Sequence, residues 1–210
     1  MTFAERAFNF DSDGLRLEGA LHEAGGALAA VVLHPHPQYG GDMDNHVVLA
    51  VCGALAAAGA TTLRFNFRGT SRSQGAFDNG RGEAADARAA IGVVRGLRPG
   101  ASLVLAGYSF GALVAADIAG QANLRALILV SPPAAFAPLP PVPDGVDILL
   151  VTGEYDDLAP PDQLRALEGP RRRVVVVPES GHAWLPGVES LTREVSAFLG
   201  VLEAGSTPNT

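Results

Sequence analysis

Lysine is missing from this sequence of 210 residues; all 15 basic side chains are arginine. That excludes the chemistries built on a lysine amine: Schiff-base enzymes, Ser–Lys dyads and the lysine-containing phosphate loop. Cysteine is nearly missing too. The single Cys52 forbids an intramolecular disulfide and a Cys-rich zinc site. It lies in the apolar run of residues 47–58, without the electropositive, accessible setting a nucleophilic thiolate needs, and reads as a buried structural thiol. Aromatic residues make up 6% of the chain, the net charge is −7, and no basic stripe occurs, so the stacking rings and phosphate contacts of a nucleic-acid binder are lacking. No apolar run is long enough to span a bilayer. Met1-Thr2-Phe3-Ala4-Glu5-Arg6 opens into a charged, alternating segment unlike a signal peptide, so a cytoplasmic location is expected.

What is present is 48% hydrophobic and punctuated by 25 glycines and 15 prolines. The length and composition predict one domain over residues 1–203, followed by a flexible tail over 204–210. Residues 3–10 and 15–22 alternate as a hairpin across Asp11-Ser12-Asp13-Gly14. Short continuous apolar runs at 28–33, 61–67, 103–106, 124–130, 146–152 and 173–177 read as buried strands. Between them, helices are predicted from a cap at Asp42 or Asp44 to 58, and over 82–97, 110–119, 161–167 and 188–202. Alternating strands and helices give an α/β fold with a mostly parallel sheet, whose functional residues sit at the C-terminal ends of the strands.

The most informative stretch is Leu103-Val104-Leu105-Ala106-Gly107-Tyr108-Ser109-Phe110-Gly111-Ala112-Leu113. A strand stops at Gly-x-Ser-x-Gly and a helix of small residues follows at once. The chain must reverse so tightly that Ser109 sits on a strained turn, with glycines where a side chain would collide with its neighbours. This pattern is a nucleophile elbow. Serine needs a base within hydrogen-bond reach and an acid to orient that base. The only histidine after Ser109 is His182, in a loop following the last strand. The acid belongs between them, where Glu154, Asp156 and Asp157 compete after the strand at 146–152. The backbone N–H of Phe110, at the start of the helix, is one expected oxyanion donor. The other comes from the loop after the strand at 28–33. Pro35 and Pro37 have no N–H, which leaves His36, Gln38, Tyr39 or Gly40.

The order Ser–Asp–His, the elbow and the strand pattern resemble the α/β-hydrolase superfamily over essentially the whole chain. His34-Pro35-His36-Pro37-Gln38-Tyr39-Gly40-Gly41-Asp42-Met43-Asp44-Asn45, with Arg64-Phe65-Asn66-Phe67-Arg68-Gly69-Thr70-Ser71, is similar to a group of small bacterial serine hydrolases related to dienelactone hydrolase. The nucleophile of dienelactone hydrolase itself is a cysteine, so neither its chemistry nor its substrate carries over. The resemblance implies the α/β-hydrolase fold: a mostly parallel sheet with an antiparallel N-terminal hairpin and helices on both faces. It selects Asp156 as the acid, through the pattern Gly-x-x-Asp-x-x-x-Pro from Gly153 to Pro160, and His36 as the second oxyanion donor. The group's usual Arg-Gly-x-Gly-x-Ser run departs here, with Arg72 assigned to the second glycine.

The proline-rich residues 131–145 leave no room for an inserted helical lid, so a shallow, open site is expected, walled in part by Tyr39, Phe136 and Trp184. Plain packing is the other reading of Trp184. Together these features predict a serine hydrolase of small carboxylic esters working through an acyl-enzyme, with no metal or organic cofactor. Thioesters, small peptides or amides, and a non-catalytic binding protein on the same fold are the alternatives. A homodimer paired through an edge strand or the C-terminal helix is the one protein partner expected. A metal reading of His34, His36, Asp42, Asp44 and His46 fits no ligand spacing and is set aside.

Overall fold

The computed structural model describes residues 3–141 and 144–204. In chain order the elements are β1 (Arg6–Ser12), β2 (Leu15–His22), β3 (Leu28–Leu33), α1 (His46–Ala57), β4 (Thr61–Phe65), α2 (Arg81–Leu97), β5 (Ser102–Tyr108), α3 (Phe110–Ile118), β6 (Ala126–Val130), β7 (Asp147–Tyr155), α4 (Pro161–Arg165), β8 (Arg172–Gly181) and α5 (Val188–Ala204). The strands form one sheet in the order β1-β2-β4-β3-β5-β6-β7-β8. Strands β1, β2 and β4 pair antiparallel, and every pair from β4 to β8 is parallel. The expected tail lies outside the described residues from 205 onward.

The period-two alternation of each strand divides the core in two. On one face, Ala29, Val31 and Leu33 of β3 and Leu103 and Leu105 of β5 pack under α2 and α3. On the other, Leu28, Ala30 and Val32 with Val104, Ala106 and Tyr108 meet α1 and α5. Central strands covered on both faces read as unbroken apolar runs, as a parallel sheet requires. Cys52 is fully buried in the second core, where burial pushes its thiol pKa up, as a packing residue.

Several boundaries differ from the sequence expectation. β5, β7 and β8 run on through Tyr108, Tyr155 and Gly181, because ladder pairing continues where the apolar run has already given way to site residues. The cap of α1 is neither Asp42 nor Asp44 but Asn45, whose side chain accepts the Val47 N–H at 2.9 Å. Asp42 spends its carboxylate on the Asp44 N–H at 2.9 Å, and Asp44 is drawn to the Arg64 guanidinium. Between β6 and β7 the described residues hold no helix, so no lid covers the end of the sheet.

The loop after β4 is tied down by buried carboxylates. Asp86 of α2 accepts the Arg68 N–H at 3.0 Å, its guanidinium at 2.7 Å and the Ser12 hydroxyl at 2.7 Å. Glu18 of β2 accepts from Asn66 at 2.6 Å, the Arg72 N–H at 3.1 Å and the Arg72 guanidinium at 2.6 Å. The second glycine of the Arg-Gly-x-Gly-x-Ser run therefore corresponds to Ser71, not Arg72: counted from Arg68, Ser71 holds that place, and it keeps a positive φ of 49°. Arg72 instead clamps Glu18.

Burial alone would raise the Glu18 pKa, but the Arg72, Asn66 and Ser71 hydrogen bonds outweigh it and hold it at about 2. A carboxyl depressed by folding stabilises above its unfolded pKa and loses that contribution as the pH falls through the folded value. The stability difference between wild type and Glu18→Gln should be full above about pH 5 and shrink towards pH 2. Thermal melts of both proteins across that range test this; a difference independent of pH would refute it.

Candidate active site

Ser109 occupies the one-residue link between β5 and α3, with φ 53° and ψ −117°. A non-glycine residue held in so sparse a region costs about 1–3 kcal/mol, and surrounding packing must enforce it. Two glycines do so. A Cβ on Gly107 would lie 2.2 Å from the Gly111 carbonyl oxygen. A Cβ on Gly111 would lie 2.5 Å from the Leu33 oxygen and 2.6 Å from the His34 oxygen. The bare backbone thus lets the first turn of α3 press on the end of β3, which sets the Ser109 hydroxyl beside the loop that begins at His34.

His182 follows β8, and its Nε2 lies 3.0 Å from the Ser109 Oγ. Its Nδ1 lies 2.9 and 3.1 Å from the two Asp156 carboxylate oxygens. Because a carboxylate can only accept, the Nδ1 proton is assigned to that bond, and the Nε2 lone pair then faces the serine. Asp156 is buried and also accepts the Leu158 and Ala159 N–H groups at 3.1 and 2.9 Å. Burial alone would raise its pKa; the hydrogen bonds from His182, Ser131 and Ala159 and the attraction of His182 outweigh it and hold the carboxyl below its usual range. Of its competitors, Asp157 is exposed and the Glu154 carboxylate accepts the Glu179 N–H at 3.0 Å. The structure brings Ser109, His182 and Asp156 together and leaves the other two carboxylates outside.

The loop after β3 folds as a short 3-10 turn over Pro37–Tyr39. The Gln38 N–H goes to the His36 Nδ1, Tyr39 and Gly41 donate to the His36 carbonyl, and Gly40 donates to the Pro37 carbonyl. Of the four candidate amides, only that of His36 is left without such a partner. The Phe110 N–H, first in its helix, has no intrahelical partner either. The His36 ring stands 4.9 Å from the Phe110 ring, 4.8 Å from Tyr39 and 4.9 Å from Phe77. Sequence reasoning missed Phe77, which lies far along the next loop with no motif to mark it.

His34 is fully buried. Its Nε2 accepts the Phe67 N–H at 3.0 Å, so its Nδ1 proton donates to the Pro35 carbonyl at 2.6 Å. Burial and the nearby His36 lower its pKa to about 4, against the opposing pull of the Pro35 bond, and it stays neutral. With His46 donating to the Ala183 carbonyl at 2.9 Å, the residues of the metal reading are each engaged elsewhere.

The expected walls divide. Tyr39 and Phe136 are 88% and 76% exposed, on the loops after β3 and β6. Trp184 does not wall the site. It is 0% exposed, packed in the core beneath α5, and its indole N–H donates to the Ser131 hydroxyl at 3.0 Å. That bond, with the apolar packing, draws the ring inward, and Ser131 is in turn hydrogen-bonded to Asp156. A separate hollow of about 690 Å³ lies at the opposite end of the sheet, lined by Arg125, Asp147, Arg172 and Phe198 among others; its lining holds no serine, cysteine or histidine. Ser109, His182 and Asp156 are not among the residues that line it.

Residues 26–151 match the family described as serine aminopeptidase, S33. An uncharacterized protein of Rickettsia prowazekii is 37% identical over 162 residues, which cover 72% of this chain and 67% of that one. The crystal structure of an Agrobacterium tumefaciens protein, a putative α/β hydrolase, shares 31% identity at a TM-score of 0.86, covering 96% of this chain and 98% of that one. A Xanthomonas campestris α/β serine hydrolase without a lid shares 29% identity at a TM-score of 0.85, covering 100% and 98%.

The chain has one tryptophan, so the burial of Trp184 is directly measurable. Its fluorescence should resist iodide quenching in the native protein and become quenchable on unfolding. Ready quenching in the native state would overturn its placement in the core.

Proposed function

The chain belongs to the serine aminopeptidase (S33) family of α/β-hydrolases, and from that premise we propose that it hydrolyses small carboxylic esters through a Ser109 acyl-enzyme. The observation that carries this reading is the hydrogen-bonded chain from Ser109 through His182 to Asp156, at 3.0 and 2.9 Å, on an elbow with φ 53°.

In this reading His182 Nε2 takes the serine proton as Oγ attacks the substrate carbonyl. Asp156 holds the ring in its reactive tautomer and stabilises the imidazolium that forms. The Phe110 and His36 N–H groups receive the oxyanion; neither is spent on another group. His182 returns the proton to the leaving alcohol, then activates the water that frees the acyl group. The reaction calls for no metal or organic cofactor. The lidless end of the sheet supports small or accessible substrates over long chains bound in a tunnel. Cleavage of small peptides is the second reading, favoured by the family's description. It differs only in the leaving group, and a panel of aryl esters, thioesters and aminoacyl amides separates the two.

Intact mass after exposure to a fluorophosphonate tests the mechanism. Wild type should gain one adduct and Ser109→Ala none; a folded wild type that gains none sinks the reading. Asp156→Asn should keep KM and lose roughly 10⁴-fold in kcat through the wrong histidine tautomer. Asp157→Asn should stay near wild type, and the reverse pattern would move the acid to Asp157.

A further inference from the structure

We propose that Tyr108, the residue before the serine, is a positioning residue for His182, and that with His46 it pins the histidine loop by two consecutive carbonyls. The proposal rests on the serine-hydrolase reading above. Tyr108 ends β5 with its side chain on the α1/α5 face of the sheet, buried. Its hydroxyl donates to the His182 carbonyl at 2.7 Å, and its ring lies 5.6 Å from the His182 ring. His46, the first residue of α1, donates from Nε2 to the next carbonyl, that of Ala183, at 2.9 Å. The Trp184 N–H closes the turn on the Gly181 carbonyl at 3.0 Å.

These bonds come from different elements and act on the backbone that carries the base. Asp156 fixes the orientation of the imidazole at Nδ1, but it does not fix how far the backbone of residue 182 stands from the elbow. Tyr108 does, because it is covalently joined to Ser109. The dipeptide Tyr108-Ser109 and the residue His182 are linked twice, through Oγ to Nε2 at 3.0 Å and through the phenol to the carbonyl at 2.7 Å. Removing the phenol contact opens this ring of bonds and leaves the serine–histidine distance to a loop at the end of an edge strand, held from outside by His46 at the next carbonyl. A misplacement of about 1 Å at reacting groups costs on the order of 10²-fold in rate. The phenol also keeps its proton. Burial, with the negative charge of Asp156, raises its pKa to about 12, so it remains a donor throughout the neutral range.

The test uses the full chain as wild type, Ser109→Ala, Tyr108→Phe, His46→Leu and His46→Gln. For each, kcat and KM on 4-nitrophenyl acetate, the second-order rate of fluorophosphonate labelling, and the melting temperature are measured. Tyr108→Phe keeps the ring and deletes only the donor. It should lose about 10- to 100-fold in kcat and in labelling rate, with KM within about two-fold and the melting temperature little changed. His46→Leu should lose activity in the same way, and His46→Gln, whose amide N–H reaches the same distance, should recover most of the loss. A Tyr108→Phe that melts and labels like wild type overturns the proposal while leaving the serine-hydrolase reading standing. Should Tyr108→Phe fail to fold, the His46 pair decides: loss with Leu and recovery with Gln supports the positioning role, and equal rates for both overturn it. A wild type that takes no label overturns the hydrolase reading and this proposal together.

Discussion

The site depends on how closely the first turn of α3 stands to the end of β3. At Gly111 the Leu33 and His34 carbonyls occupy the space a Cβ would need, and at Gly107 the Gly111 carbonyl does the same. This backbone-on-backbone contact forces the reversal at Ser109 into a positive φ. It also brings the free N–H at the start of α3 to the loop of His34, Pro35 and His36. Any side chain larger than hydrogen at either glycine would push the helix off the sheet, separating the serine from that loop. The strain at Ser109 is thus sustained by packing that spans three elements.

Two buried titratable side chains flank the elbow and end in opposite charge states, for one reason. Burial disfavours the charged form of each. Asp156 offsets that cost with N–H groups from His182, Leu158 and Ala159 and keeps its charge. His34 spends one ring nitrogen on accepting the Phe67 N–H, which an imidazolium cannot do, and so stays neutral. The neutral form is the useful one at that position, since it accepts from β4's exit with one nitrogen and donates to the Pro35 carbonyl with the other, fixing the loop on both sides.

Much of this was legible in the sequence because it is written locally. Period-two alternation on strands covered on both faces, and small residues around Ser109, specify the sheet and the elbow without reference to distant parts of the chain. The acid was only partly legible: three carboxylates within four residues look alike until the fold buries Asp156 against two backbone N–H groups and leaves Asp157 in solvent. Trp184 beside His182 invited a place in the site wall, but its indole N–H finds Ser131, 53 positions earlier, and packing takes the ring inward. The cap of α1 went to Asn45 for a similar reason: Arg64 on the next strand recruits Asp44. Nothing in the sequence pointed Tyr108 or His46 to the histidine loop. Their partners are backbone carbonyls, which have no identity in a sequence.

An open site must obtain its order from rigidity, because no described element closes over it. Enzymes with lids exclude water and complete the site when substrate binds. Here the described residues between β6 and β7 supply no such element, and Tyr39 and Phe136 stand in solvent beside the sheet's end. In the proposed mechanism, the donors for a developing oxyanion must therefore already be in place before substrate arrives. The loop after β3 has the means for this: two prolines with fixed φ, a buried histidine bonded at both nitrogens, and amides at 38, 39, 40 and 41 all turned back onto the loop itself. What that folding leaves without a partner is the His36 N–H. The same internal hydrogen bonds that make the loop stiff thus determine which amide the proposed mechanism can use.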